Sequence, residues 1–394
     1  MANEKQQYKQ GNNSSHGENL NLLWYDRAGI KAATAKNIYG QFASKKEMPT
    51  KYGKTYAISR WMRSYDRDLT TADFAKFGFL SSRDIADVTA GFTTAGLAEG
   101  QTSKNPIGIT KINLQTSLNQ YGEEIDYTED VDLFSNDDIQ VRYREELGER
   151  ANVLFEDLIQ ADMLSTNNVL YSALGSSLAT MGTGISADAT LDNNWRISYD
   201  FIRKCTRKLT RNRAEKHTEI VTGSTKIDTK TVNRAYYAII GNEVKYDLES
   251  ATRGKGSIEE YVYIPAYQYG DASKLAEGEV GCLGEVRFIE SETAVVYRGQ
   301  GAEVPADYVG TLSRTTVGGV EKFDVFPILF PTKDAFATVG LKGHNKVVFN
   351  SKAPSVVDSG NKFGNTGFFT YKMWYAGIIL QEEKLLKGLV LASE

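Results

Sequence analysis

Cysteine is nearly missing from this chain. Two residues in 394, Cys205 and Cys282, cannot build the disulfide framework of a small secreted scaffold, and with three histidines they make a Cys/His zinc site improbable. Proline is scarce too, seven against 35 glycines, which excludes proline-rich and collagen-like architectures. No apolar run is long enough to span a bilayer, and the longest, Gly367–Leu380, is interrupted by Lys372. The first ten residues, MANEKQQYKQ, lack the apolar stretch of a signal peptide. Neither charge sign dominates. Forty-six basic against fifty acidic residues, a net charge of −4, remove the whole-chain electrostatic footprint of a nucleic-acid binder. With 41% hydrophobic residues the composition is that of an ordinary globular protein, expected to be soluble and intracellular.

The motifs of common chemistries fail as well. Gly53-Lys54-Thr55 lacks the upstream glycine of a P-loop, that position being Met48. Gly175-Ser176-Ser177 lacks the second glycine of a nucleophile elbow. His16, His217 and His344 are scattered and read as surface histidines rather than bases. Acidic residues cluster at Glu123, Glu124, Asp126, Glu129, Asp130, Asp132, Asp137 and Asp138. Their order is not that of an EF-hand, and no spacing singles out a catalytic pair. A charged strand-to-helix junction is the plain reading, with a carboxylate hydrolase over 123–138 as the alternative. No catalytic, cofactor-binding or metal site emerges.

Aromatic residues are what the chain has in excess, 11% overall with 22 tyrosines. A buried tyrosine hydroxyl needs a partner, whereas at an interface one end of the ring can be apolar and the other wet. The order of elements points the same way. Residues 1–19 are almost all polar. From Leu20 to Phe42 a loose stripe, Leu23, Ile30, Thr34 and Ile38 with Trp24 and Tyr25 beside it, predicts an amphipathic helix that must dock elsewhere. Residues 1–54 carry nine basic and four acidic side chains, a modest excess suited to a solvated surface. Residues 54–64 alternate as a strand. The Gly/Thr/Ser-rich stretch that follows, with Phe74, Phe77, Phe79 and Phe92, has no period. The return limb 111–133 alternates again, so a two-stranded excursion over roughly 55–125 should project from the body. Its phenylalanines require cover.

Over 137–165, Tyr143, Leu147, Ala151, Leu154, Leu158 and Ala161 step by three and four, predicting a long helix capped by Asn136 or Asp137. Residues 166–197 and 292–320 read as loops. A basic amphipathic helix is expected at 198–217, with Phe201, Cys205 and Leu209 inward and Arg207, Lys208 and Arg211 among its cations. AYYAIIGNEVKYDLES (235–250) reads as strand, turn and helix start. Strands are expected at 285–291, 323–330 and 335–341, and two more in the last segment around a turn at Gln381–Lys384. The class is α+β.

Five blocks in this order, QYGEEIDYTEDV within 111–133, AYYAIIGNEVKYDLES, GEVGCLGEVRFIES, FDVFPILFPTKDAFATVGLKG and YKMWYAGIILQEEKLLKGLVLAS, resemble the major capsid proteins of tailed phages. That is the Hong Kong 97 type fold, and more narrowly the N-four-type podovirus coat family. The resemblance runs from about residue 50 to the C-terminus, with the loops 166–197 and 292–320 as departures.

It implies an arm at 1–54, an extended loop (E-loop) with its strand roots at 55–125, and a peripheral domain at 126–197 with its spine helix 137–165. An axial domain at 198–345 and a C-terminal return at 346–394 complete the chain. The implied function is a coat protein whose hexamers and pentamers form an icosahedral shell. That shell encloses double-stranded DNA without sequence-specific binding or any cofactor, and is assembled in the host cytoplasm with no membrane. The implied partners are further copies of the chain, a separate scaffold protein, a portal protein and decoration proteins. Coat-like sequence begins almost at once, which favours a separate scaffold over a cleaved one. Expected inter-subunit residues are Trp24, Tyr25, Phe74, Phe77, Phe79, Phe92, Glu124, Asp126, Asp130, Arg207, Lys208 and Arg211. Some relatives crosslink through Lys–Asn bonds. Lys104, Asn361 and Asn365 stand near plausible places here, but carry no motif. A decoration or tail protein is the other structural reading.

Overall fold

The structure is a computed structural model describing residues 37–61, 96–101, 111–134, 139–189, 191–221, 229–253, 263–271, 275–343, 347–357 and 360–394, together with Ile85 and Thr89. After a 3₁₀ turn at Tyr39–Phe42 come β1 (Ser44–Met48), β2 (Thr55–Trp61), β3 (Lys111–Ser117) and β4 (Asn119–Thr128). Helices α1 (Glu129–Phe134) and α2 (Ile139–Leu164) follow, then β5 (Val169–Tyr171), α3 (Asp192–Trp195) and α4 (Tyr199–Arg211). Next are β6 (Tyr236–Ile240), α5 (Asn242–Arg253), β7 (Ile264–Pro265), β8 (Glu279–Leu283) and β9 (Val286–Glu290). The chain closes with β10 (Arg314–Val317), β11 (Val320–Phe323), β12 (Phe326–Phe330), β13 (Phe336–Leu341), β14 (Val348–Lys352), β15 (Thr366–Ile379) and β16 (Leu386–Val390).

Two sheets organise these elements. In the larger the order is β5-β16-β12-β6-β9-β8-β7, with β6 parallel to β9 and β12 antiparallel to β16. Its central strands are apolar on both faces because both faces are covered. Tyr236, Ala238, Ile240, Phe288, Ile328 and Phe330 meet α4 and α5 through Phe201, Cys205, Leu209, Val244 and Leu248. The alternate residues Tyr237, Ile239, Ile289 and Leu329 meet Ile159 and Met163 of α2 and Ile38, Tyr39 and Phe42. In the smaller sheet β15 is the axis. It pairs with the whole of β4 through Thr366–Tyr375, and also with β13 and β14, while β1 joins β13 in parallel.

Helix α2, 26 residues and about 39 Å long, ties the sheets together. Its first half lies on the smaller sheet, Leu147 and Ala151 against Tyr127, Phe369 and Tyr371. Its last turns lie under the larger one. The expected stripe holds at Tyr143, Leu147 and Ala151 and then shifts. Ile159 and Met163 are fully buried, whereas Ala161 is exposed. The polar residues Glu156 and Gln160 share that buried face, which hid the true line from the pattern. The capping positions Asn136 and Asp137 lie outside the described residues.

Other expectations need correction. The end of the Leu20–Phe42 stripe is a 3₁₀ turn, and the rest lies outside the described residues. The basic helix stops at Arg211, after a start capped by the Ser198 side chain, which accepts from the Phe201 amide at 3.2 Å. The 111–133 strand is broken at Leu118, whose amide donates to Lys54, and gives way to α1 at Glu129. The two segments read as loops, 166–197 and 292–320, form one lobe. Met181, Ile185 and Trp195 pack with Tyr308, Leu312, Phe323 and Val325, and Ala302 and Val309 donate amides to Met181 and Ala187. Without a period in either half, a core made by two distant segments is invisible to pattern reading.

Candidate inter-subunit surfaces

The start of the described chain is strapped down by one carboxylate. Glu156 on α2, 3% exposed, accepts three successive backbone amides: Ile38 at 3.0 Å and Tyr39 at 2.7 Å on Oε2, and Gly40 at 3.2 Å on Oε1. Burial raises its pKa even though the three amides pull it down. One turn further on, the Gln160 amide donates to the Thr293 carbonyl (3.0 Å) and accepts from the Val295 amide (2.7 Å) and the Tyr39 hydroxyl (2.8 Å). Gln41 and Glu277 exchange two further bonds. Residues 37–48 therefore join α2 and both sheets.

The hairpin of β2 and β3 runs in register from Thr55–Ser117 to Trp61–Lys111. Its inward residues Tyr56, Ile58 and Leu114 cover the cluster around Val339, Ala376 and Ile378. Farther out, Arg60 forms a two-pronged pair with Glu383. Glu383 belongs to the turn between β15 and β16, which is a junction. Its carbonyl accepts from Asn168 and Asn212, that of Lys384 accepts from Thr332, and Glu382 holds Thr166 and Asn167 at the end of α2.

The expected contact residues are distributed unevenly. Trp24, Tyr25, Phe74, Phe77, Phe79 and Phe92 lie outside the described residues. Glu124 and Asp126 share the exposed face of β4, and Asp130 is exposed on α1. Their neighbour Glu123 points to the other side, where Arg150 grips it at 2.7 and 3.0 Å and holds its carboxyl below the usual range. The strand alternation thus splits the acidic cluster. No group of three or more metal-ligating side chains occurs among the described residues. Arg207 and Arg211 are exposed on α4, but Lys208 turns inward and donates to the Val169 carbonyl at 3.1 Å, its pKa lowered by burial. Asn361, considered for crosslinking, uses its side chain in its own loop, donating to the Thr366 carbonyl and accepting from the Asn365 amide. Lys104 is not among the described residues.

Pattern reading missed a cluster of uncovered apolar side chains around the smaller sheet. Leu133 and Phe134 on α1, Val141 on α2, Phe349 on β14 and Phe363 are all more than half exposed. Arg144, Leu147, Phe349 and Phe369 line a groove between α2 and β14, with the Arg144 guanidinium 5.3 Å from the Phe369 ring. Such surfaces mark contacts with other chains. No described helix is long and apolar enough to cross a membrane.

No family profile matches the chain. It is 25% identical over 388 residues, 95% of its length and 93% of the other's, to the major capsid protein of Pseudomonas phage KPP21. Its fold is similar to the capsid of Ralstonia phage GP4 (TM-score 0.55, 11% identity, 96% of this chain and 98% of that one). It is similar also to the capsid of Cyanophage Pam1 (0.54, 10%, 94% and 96%) and to that of Cyanophage P-SCSP1u (0.53, 11%, 94% and 92%). The fold is the Hong Kong 97-like fold of phage capsid proteins. Fold and full-length sequence relation together define a major capsid protein of a tailed phage.

Proposed function

We propose that the chain assembles with copies of itself into hexamers and pentamers that form an icosahedral shell enclosing a double-stranded DNA genome, without sequence-specific binding to it. The observation that carries this reading is the end-to-end relation to a major capsid protein, over 95% of this chain and 93% of the relative. In this reading residues 1–54 are the arm, 55–125 the extended loop, 126–197 and 346–394 the peripheral domain, and 198–345 the axial domain. Strand β4 carries the chain from the loop into the body. The role is structural rather than catalytic, and the place of action is the virion. A separate scaffold, a portal and decoration proteins complete the assembly, which takes place in the host cytoplasm.

Exposed apolar side chains around α1, α2 and β14 support the reading, because a monomer in water gains nothing from leaving them bare. Negative-stain electron microscopy and light scattering of the expressed protein, alone and with candidate scaffold proteins, test it. Shells, sheets or six- and five-membered rings are expected. A monodisperse monomer under every condition would overturn it and return attention to the carboxylates of 123–138 as a hydrolytic site.

A further inference from the structure

Helix α1 buries none of its residues, although Leu133 is 66% and Phe134 83% exposed. Its tie to its own chain is polar. The Gln140 side chain, in the first turn of α2, donates to both oxygens of Asp132 at 3.1 and 3.2 Å. Asp132 lies two residues from Asp130 and two from Phe134, on the other side of the helix, so this bond turns Asp130 and Phe134 outward. The tie also sets α1 beside the groove between α2 and β14, because Arg144, one turn beyond Gln140, lines that groove.

The groove matches the outward face of α1 in two respects. It has a volume of about 430 Å³, enough to admit an aromatic side chain. Buried Leu147 and Phe369 form its floor and half-exposed Phe349 its rim. Charge is matched at the same spacing. On α1, Asp130 stands one turn before Phe134. On α2, Arg144 stands about one turn before Leu147, its guanidinium 5.3 Å from the Phe369 ring. The arginines on either side are engaged, Arg142 with Glu145 and Arg150 with Glu123. Neither Arg144 nor Asp130 has an ion-pair partner among the described residues. Within one chain the Asp132 tie leaves helix face and groove side by side, both uncovered. Two copies can cover each other.

We propose that the groove receives α1 of a second copy, with Phe134 seated against Leu147, Phe349 and Phe369 and Asp130 paired with Arg144. The contact rests on the self-assembly reading above and names the surfaces that meet. An aromatic anchor in a pocket, with a charge pair dried by the same contact, is the arrangement that concentrates binding energy.

The test is a charge exchange read on association. Sedimentation and light scattering compare the natural chain with Asp130→Arg, Arg144→Asp, the two combined, and Phe134→Ser. Each single variant should associate about tenfold more weakly, and the combined exchange should return to within about threefold of the natural chain. The substituted side chains are exposed, so urea midpoints of dilute subunits should match that of the natural chain, which separates lost docking from lost folding. Single variants that assemble as tightly as the natural chain overturn the proposal and leave the coat reading standing. A combined variant no better than either single charge variant does the same. A lowered urea midpoint in Arg144→Asp with unchanged association means that the groove is filled by its own chain, and also overturns it. A natural chain that stays monomeric under every condition removes the coat reading, and this contact with it.

Discussion

Arg60 Nη1 donates to Glu383 Oε2 at 2.9 Å, joining residues 323 positions apart and fixing the β2–β3 pair to the turn between β15 and β16. The partners are unequal, the Glu383 side chain being 4% exposed and that of Arg60 23%. Removing the cation therefore leaves a buried carboxylate, while neutralising the acid leaves a guanidinium that water can reach. Arg60→Ala should cost about 2 kcal/mol, below the ~3–5 kcal/mol of a fully buried pair, and Glu383→Gln roughly half as much. Urea unfolding of the two variants and of Arg60→Ala/Glu383→Gln measures this. Equal losses for the single variants would contradict the asymmetry.

Glu156 is the second anchor, and its loss should be felt at the arm rather than in the helix. Glu156→Ala leaves the Ile38, Tyr39 and Gly40 amides without their acceptor, at about 1–3 kcal/mol for an unsatisfied buried group. Relaxation of the chain end limits the total to about 3 kcal/mol. Glu156→Gln keeps one acceptor oxygen and should lose less. Hydrogen exchange at residues 38–40 should accelerate in the order natural, Gln, Ala, with residues 159–163 of α2 little changed.

Gly122 tests the register of the smaller sheet. It faces Lys372 across the β4–β15 ladder, where an added Cβ would collide with the carbonyl oxygen of Tyr371. Backbone cannot step aside as a side-chain tip can, so β4 must shift. Gly122→Ala should destabilise by about 1–3 kcal/mol and loosen the amides of 120–124. Gly148→Ala, on α2 where an added Cβ meets no described atom within 4 Å, should instead stabilise by roughly 0.5–1 kcal/mol through helix propensity. Thermal unfolding of the pair gives opposite signs if both accounts hold.

What was legible in the sequence follows a physical line. β6 and β12 could be read because both of their faces are buried, so each is a short run without a charge, while β9 and β16 stay legible although each carries one basic residue, Arg287 and Lys387. Helix α2 could be read because three- and four-residue steps hold along its first half, through Tyr143, Leu147 and Ala151. The second half of its stripe was misplaced because Glu156 and Gln160 occupy core positions, as their partners lie more than a hundred residues away. A buried carboxylate and amide, four apart, were the available signal. The lobe of 166–197 and 292–320 was illegible for another reason. Its core is built between segments, and no local period records that. Of the contact residues, Lys208 was misjudged because charge alone does not reveal that a neighbouring strand, β5, offers a carbonyl within its reach.

His217 gives a prediction of opposite sign to the buried acids. Its ring lies 6.0 Å from that of Phe42 and 5.8 Å from that of Tyr237, and burial lowers its pKa, partly offset by the Thr332 backbone and Asp334 and reinforced by Lys333. The folded chain thus prefers the neutral ring, while the unfolded chain takes up a proton near pH 6.5. The stabilisation is complete above that value and is lost as the pH falls through 6.5 towards the lower folded pKa. Glu156 and Glu279, whose pKa values burial raises, act the other way. Their contribution is complete below the unfolded carboxylate range and declines as the pH rises through their folded values. Measuring the difference between the natural chain and His217→Gln isolates the histidine. Between pH 7.5 and 5.5 the natural chain should lose more stability than the variant, read as unfolding midpoints in urea. Parallel pH profiles would mean that the ring is protonated in place and that burial does not hold it neutral.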